Sequence, residues 1–317
     1  MSGEKIILAI DTSNYTTSVA ILTLTGELIA NLKRPLAVKA GERGLRQSDA
    51  VFAHTVNLPD IMREARGYID NREIVAVGVS EKPRNREGSY MPCFLSGVAA
   101  AESVSCSMNI PLYKFSHQCG HIMAAIYSSG NYGILDGDFM AYHISGGTTE
   151  LVAVKPTDRA FFAETVGGTA DVNAGQLIDR IGVYMGLPFP SGKYIEALAL
   201  KNNEIIPRKK ISRKDLWLNL SGVENIATKL YDETQNKEMV SAFLLDYLGR
   251  AFVELTASMR EKYGDTPLVC SGGVMCNSII KNMLSKKYVV ALAEPSMSAD
   301  NAVGIAALAL RSYLSEN

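Results

Sequence analysis

Two stretches of this chain share one plan. Ile6 to Leu24 reads IILAIDTSNYTTSVAILTL: an apolar run, a short polar turn, then a second apolar run. Phe139 to Val154, FMAYHISGGTTELVAV, repeats it, and both turns close on a Thr-Thr pair, Thr16-Thr17 and Thr148-Thr149. Apolar, β-rich runs flanking a tight turn of Ser, Gly and Asn predict a β-hairpin. A hairpin that recurs once per half predicts an internal duplication, with one copy opening each domain. The chain's 317 residues suit two domains of about 150, expected here over residues 1–130 and 131–317.

The rest of the pattern is consistent with layers of strands and helices. Ile74 to Val79 reads as a buried strand, Phe94 to Met108 as an apolar helix, and Met239 to Tyr263 as a long helix. Pro267 to Cys270 and Tyr288 to Leu292 read as strands, and Asp300 to Leu314 as a small-residue helix. Lys201 to Lys214 is polar and basic and reads as an exposed connection. A duplicated α/β chain opened twice by a hairpin resembles the actin-like ATPase (ASKHA) fold. That resemblance implies a nucleotide cleft in which backbone N–H groups of the two turns hold phosphates. Two unrelated surface hairpins are the alternative.

Composition narrows the function classes. Hydrophobic residues make up 47% and charged residues 21%, ordinary globular usage, and the net charge of −1 supplies no overall field toward nucleic acid or membrane. No apolar run approaches the ~18 residues that span a bilayer, and no secretion signal is visible at the N-terminus. Five cysteines with no CxxC pair predict reduced thiols, and so a cytoplasmic protein.

The chain has four histidines, and two of them stand four residues apart in His117-Gln-Cys-Gly-His121. On a helix that spacing puts both imidazoles on one face, as a metal requires. A helix with two incidental polar residues is the alternative. Zinc proteases place a glutamate after the first histidine as general base, and here the residue is Gln118, which takes no proton. Cys119 lies about 200° around the helix from the pair and reads as a small buried side chain.

The ordered series IDTSNYTTSVAI, HxxxH, SGGTTELV, AGQLIDRIGVYMGLPFPSG, LSG, SGGVMCN and SADNAVGIAAL resembles the universal tRNA threonylcarbamoyladenosine-synthesis family over nearly the whole chain. The resemblance implies binding of ATP or threonylcarbamoyl-adenylate beside one divalent metal, iron or zinc, with magnesium as a candidate companion of the nucleotide. It also implies transfer of the threonylcarbamoyl group to an adenine of tRNA. The metal ligands it implies are His117, His121 and Asp300, with His143 where some members carry a tyrosine. For the nucleotide it implies the turn His143, Ile144, Ser145, Gly146 and Gly147, then Asp179, Gly192, Glu196, Gly272, Gly273 and Asn277. The acceptor amine comes from the substrate, so no protein nucleophile is expected. Partners implied are an adenylate-forming protein and helper proteins, with tRNA and a second copy of the chain as further candidates and no membrane.

Departures fall on the acceptor side. The family's Gly-Pro-Gly turn is replaced by Ser80-Glu-Lys-Pro-Arg-Asn-Arg86, SGG(H/N)TQ by SGGTTE, and SGLK by Ser221-Gly-Val-Glu224. Basic residues cluster at Lys82, Arg84 and Arg86, and at Arg208 to Lys214 near Trp217, where RNA phosphates or solvent are the alternatives. A transferase of a threonylcarbamoyl or carbamoyl group is the leading reading, and a diverged, non-catalytic paralogue that binds nucleotide and metal and acts through a protein partner is the second. A small-metabolite kinase, which needs no histidine pair, fits less well.

Overall fold

The computed structural model describes residues 3–13, 15–37, 45–158, 160–298 and 300–317; the hairpin residue Asn14 lies outside them. The first sheet has the strand order β3-β2-β1-β4-β5, from β1 (Glu4–Ser13), β2 (Thr16–Thr23), β3 (Leu28–Pro35), β4 (Arg72–Lys82) and β5 (Leu112–Ser116). β1 and β2 form the predicted hairpin, and β4 runs parallel to both β1 and β5. Helices α1 (Gln47–Ile69), α2 (Phe94–Met108) and α3 (His117–Ser129) complete this part of the chain.

β1 is an unbroken apolar run because both of its faces are covered. Ile6, Leu8 and Ile10 pack with Leu58, Ile61 and Ala65 of α1 and Ala101 of α2. Ile7, pointing the other way as a strand's period of two dictates, packs with Val75, Ala76 and Ala309. Ala309 belongs to α10 (Val303–Glu316), the last helix. α10 approaches the first sheet and α3 closely because glycines clear its path. A Cβ on Gly78 of β4 would stand 2.8 Å from the Ala309 Cβ, and one on Gly304 would overlap the Gly120 carbonyl oxygen.

The second sheet has the order β12-β11-β6-β7-β8-β10-β9. Its strands are β6 (Phe139–Ile144), β7 (Thr149–Pro156), β8 (Phe161–Thr169), β9 (Arg213–Lys214), β10 (Trp217–Leu218), β11 (Leu268–Ser271) and β12 (Val290–Leu292). Read from β8, the run β8-β7-β6-β11-β12 repeats the third-second-first-fourth-fifth order of the first sheet, with β11 parallel to β6 and β12. That shared order establishes the duplication read from the hairpins. The helices here are α4 (Ala174–Tyr184), α5 (Gly192–Ala199), α6 (Ser221–Thr234), α7 (Lys237–Tyr263) and α8 (Ser278–Ser285), and the short α9 (Pro295–Ser298) follows where the chain returns to the first sheet. Their core centres on α7, which buries Phe243, Leu244, Tyr247, Leu248 and Phe252.

The chain divides into two compact units, and the division is not a single cut. One holds residues 1–137, 154–164 and 296–317, the other 138–153 and 165–295. The helix α10, placed by sequence in a domain over residues 131–317, belongs to the first unit. The glycine contacts of α10 with β4 and α3 are the physical reason. A second difference concerns Arg213 and Lys214, read as part of an exposed connection. They pair with Trp217 and Leu218 as a small hairpin turned at Asp215, whose φ of 52° suits the short polar side chain of Asp.

Candidate functional site

In the first unit the HxxxH pair is presented by a helix that starts where it must. Ser116 is extended and its side chain accepts from the Cys119 N–H at 3.2 Å, so α3 begins at His117. Both imidazoles then share the face predicted from their spacing, with Nε2 atoms 3.0 Å apart and rings edge-on at 4.4 Å. Asp300, just ahead of α10, brings its Oδ1 to 3.3 Å from His121 Nε2 and 3.6 Å from His117 Nε2. The Gly120–Gly304 contact is what lets α3 and the start of α10 meet so closely.

Three donor atoms 3.0–3.6 Å apart form one face of a coordination polyhedron. Ligands about 2.1 Å from an ion subtend edges of roughly 3.0 Å in an octahedron and 3.4 Å in a tetrahedron. Two imidazole nitrogens and one carboxylate oxygen suit iron(II) or zinc and leave further positions for a substrate. His117, His121 and Asp300 thus fit a divalent ion. Among the described residues, the group of His, Cys, Asp and Glu whose ligand atoms all lie within 4.8 Å of one another consists of these three.

Asp11, which sequence reasoning missed, stands behind them. It is fully buried, its Oδ1 accepts from the Ser13 N–H at 2.8 Å, and its Oδ2 lies 2.8 Å from His117 Nδ1. A carboxylate on Nδ1 fixes the tautomer and frees Nε2 for an ion. The available signal was an acid closing the apolar run IILAI within β1.

The charges reinforce one another. Burial opposes protonation of His117, but the Asp11 and Asp300 carboxylates outweigh it and lift its pKa to about 10. Burial and the neighbouring charge of His117 push His121 down. Burial alone would raise Asp300, yet its bonds to the two histidines hold it well below the usual carboxylate range. Cys119 faces away, as its place on the helix implies, and lines a cavity of about 360 Å³ with Asn85, Phe115 and Phe161. Burial raises its thiol to about 11.

The second unit carries the expected nucleotide residues. The turn after β6 closes with Ser145 N–H donating to the Thr148 carbonyl at 2.8 Å. It is clamped to the start of α4: Asn173 Nδ2 donates to the Gly147 carbonyl at 2.9 Å, and Ala174 N–H to Thr149 Oγ1 at 2.8 Å. Gly175 is required there, because a Cβ would sit 2.5 Å from the Ser145 carbonyl oxygen. Side chains added at Gly146, Gly147, Gly192 or Gly273 would meet nothing within 4 Å, so these backbones are open to a ligand. Gly272 has φ of 95° and presses on Ile144, a position that only glycine fits well. Ile144 and His143 are buried on β6, and His143 pairs in register with Ser271 of β11.

The polar members of the set have structural employment. Asp179 Oδ1 accepts from the Ser191 N–H at 2.7 Å, Glu196 Oε1 from the Ser278 N–H at 2.8 Å, and Asn277 caps α8 through Ile279 and Ile280. Glu224, which replaces the family's lysine, pairs with Arg180 at 3.0 Å.

Asp171 holds the same region together. Its carboxylate accepts from the Val172, Leu220 and Ser221 N–H groups at 2.6, 2.7 and 3.0 Å and from Ser221 Oγ at 2.6 Å, fixing the start of α6. Partial burial would raise its pKa, but these bonds outweigh it and hold the value at about 2, below the ordinary 3.8. Its contribution is therefore present above pH 3.8 and disappears as pH falls through 2. Asp171→Ala should cost about 1–2 kcal/mol in denaturant melts at pH 7, and the gap from wild type should close in acid.

A sequence profile of TsaD, tRNA N6-adenosine threonylcarbamoyltransferase, matches residues 32–307. The chain belongs to the TsaD family. It is 30% identical over 331 residues to the tRNA N6-adenosine threonylcarbamoyltransferase of Streptococcus suis strain 05ZYH33, covering 100% of this chain and 95% of the relative. The counterpart in Streptococcus sanguinis strain SK36 is 30% identical, with 99% and 94% covered. Among solved structures, full-length HypF in its phosphate- and nucleotide-bound form superposes at a TM-score of 0.61 and 12% identity, over 98% of this chain and 56% of that one. A ROK-family glucokinase from Streptomyces griseus in complex with glucose and AMPPNP gives 0.52 at 11% identity, over 96% and 99%. These likenesses establish that this TsaD-family chain has the actin-like ATPase fold. Among the described residues no helix is long and apolar enough to cross a membrane.

Proposed function

We propose that this chain transfers a threonylcarbamoyl group from its adenylate to the exocyclic amine of an adenine in tRNA. The observation that carries the reading is the converging His117, His121 and Asp300 set, in a chain whose sequence matches the TsaD family from residue 32 to 307. In the reaction a C–N bond forms at the carbamoyl carbon, the C–O bond to AMP breaks, and the amine loses a proton. His117, His121 and Asp300 would hold a divalent ion, iron or zinc from the donor set, which would supply Lewis-acid chemistry to the carbamoyl carbonyl. His143 is the fourth ligand suggested by the family resemblance.

The remaining roles fall to the chain itself. Asp11 keeps His117 in the ligating tautomer. The Ser145 to Gly147 turn, braced by Asn173 and Thr149, offers rigid N–H groups to phosphate or acyl oxygen, where preorganised donors stabilise developing charge. Asp179 and Glu196 keep one oxygen on the backbone and turn the other to ribose hydroxyls, with Gly192, Gly272, Gly273 and Asn277 shaping the nucleotide's approach. The adenylate-forming protein and helper proteins are the proposed partners, in the cytoplasm.

The test is transfer to unmodified tRNA with the adenylate donor and the helper proteins supplied. The expected result is modified adenine, lost in His121→Ala. The Arg180–Glu224 pair, which neutralises the acid standing where the family has lysine, supports a second reading in which the acceptor surface has changed. Donor binding without transfer to tRNA would establish that reading instead.

A further inference from the structure

Lys33 lies on the sheet row that reaches the metal centre. Asp11 of β1 is directly opposite Ser18 of β2, and Ser18 is directly opposite Lys33 of β3. Residues opposed across neighbouring strands put their side chains on the same face. Lys33 therefore shares a face with the carboxylate that meets His117, two strand spacings away, about 10 Å. From there its Nζ donates to the Ser296 carbonyl at 2.7 Å. Ser296 is in α9, four residues before Asp300, on the segment that delivers the metal carboxylate.

That segment has a local closure at its far end. Asn301 Nδ2 donates to the Met297 carbonyl at 2.9 Å, and Asn301 Oδ1 accepts from the Val303 N–H at 2.9 Å where α10 begins. These bonds shape the turn, and the Lys33 bond adds a tie between it and the sheet that carries Asp11. Lys33 is half-buried, while Ser296 and the bond between them are exposed, so the ammonium keeps part of its hydration. Burial holds its pKa below the ordinary value, and the Asp300 charge opposes that fall without cancelling it.

We infer that Lys33 is a positioning residue of the metal centre: by tying the Ser296 carbonyl to the first sheet it holds Asp300 at the distance from His117 and His121 that an ion requires. The inference rests on the metal-binding reading above and concerns a residue that touches no ion itself. It has a consequence that simple electrostatics contradicts. Removing a cation near a divalent ion should tighten the ion's binding, whereas removing an anchor of its carboxylate should loosen it.

The experiment measures cobalt(II) and zinc(II) affinity by chelator competition for the full chain and for Lys33→Met and Lys33→Arg. Cobalt absorption reports the ligand geometry. Loss of an outer partner of a metal ligand weakens binding by about 10–100-fold, and Lys33→Met, acting through the backbone, should fall near the tenfold end. Lys33→Arg, which keeps a long cationic donor, should stay within about threefold. The metal-free melting temperatures of wild type and Lys33→Met should agree, while the rise on adding metal shrinks in the variant. Binding by Lys33→Met as tight as wild type, or tighter, overturns the inference. Should that variant not fold, Lys33→Gln decides by the same affinities. A wild type that binds neither ion defeats the metal-binding reading itself, a distinct outcome.

Discussion

Gly304→Ala should lower the chain's stability by about 3 kcal/mol and abolish tight metal binding. The added methyl would occupy the space of the Gly120 carbonyl oxygen, and the next contact, with Ala124 N at 2.7 Å, is also backbone. Neither can rotate away, so α3 and α10 must separate, an overpacking cost at the upper end of the usual range. For a unit of this size that is a drop of roughly 6–12 °C in melting temperature. The separation would also carry Asp300 away from His117 and His121, joining a packing defect to a functional one. Gly67→Ala is the control. It sits inside α1 with nothing within 4 Å, so alanine should stabilise by about 0.5–1 kcal/mol through helix propensity. Equal melting of wild type and Gly304→Ala would refute the close-contact account.

The second large effect is expected at the ligands. His117→Ala or His121→Ala should leave less than about a tenth of the wild-type metal content in elemental analysis of untagged protein. Unchanged metal content in the double variant would remove the site from consideration. Asp11→Asn should retain metal but bind it about 10–100-fold more weakly, because the amide holds the His117 tautomer less firmly. Affinity should also rise with pH. His117, raised to about 10 by Asp11 and Asp300, carries a proton in the metal-free chain at neutral pH, and an entering ion displaces it. Uptake therefore tightens about tenfold per pH unit below 10 while one proton is exchanged.

The sequence was informative wherever the signal was local. Both hairpins, the helix over Phe94 to Met108 and the shared face of His117 and His121 follow from strand and helix periods within a few residues. Asp300 was legible only through the ordered motif series, since nothing in SADNAVGIAAL itself calls for a metal. Asp11 was visible as a lone acid in an apolar run, but its partner is on α3, and no local rule connects them. The return of α10 to the first unit was hidden for the same reason: it depends on Gly304 meeting Gly120, two residues that look alike to every other glycine in the chain. At Glu196 the motif identified the residue, whereas only the structure showed its carboxylate bonded to Ser278.

Because α10 and Asp300 belong with the first unit, the order of synthesis matters. Translation produces β1 to β5 and both histidines first, then all of the second unit, and only afterwards the helix that covers Ile7 and Ala76. Until then one face of the first sheet lacks its cover, and a nascent chain exposes the apolar residues that chaperones and self-association act on. The second unit is made of residues 138–153 and 165–295, both synthesised before α10. Closing the first unit is a long-range, late event of the kind that slows folding. The three proposed ligands come together only then, so an ion held by all of them would mark a chain whose folding is complete.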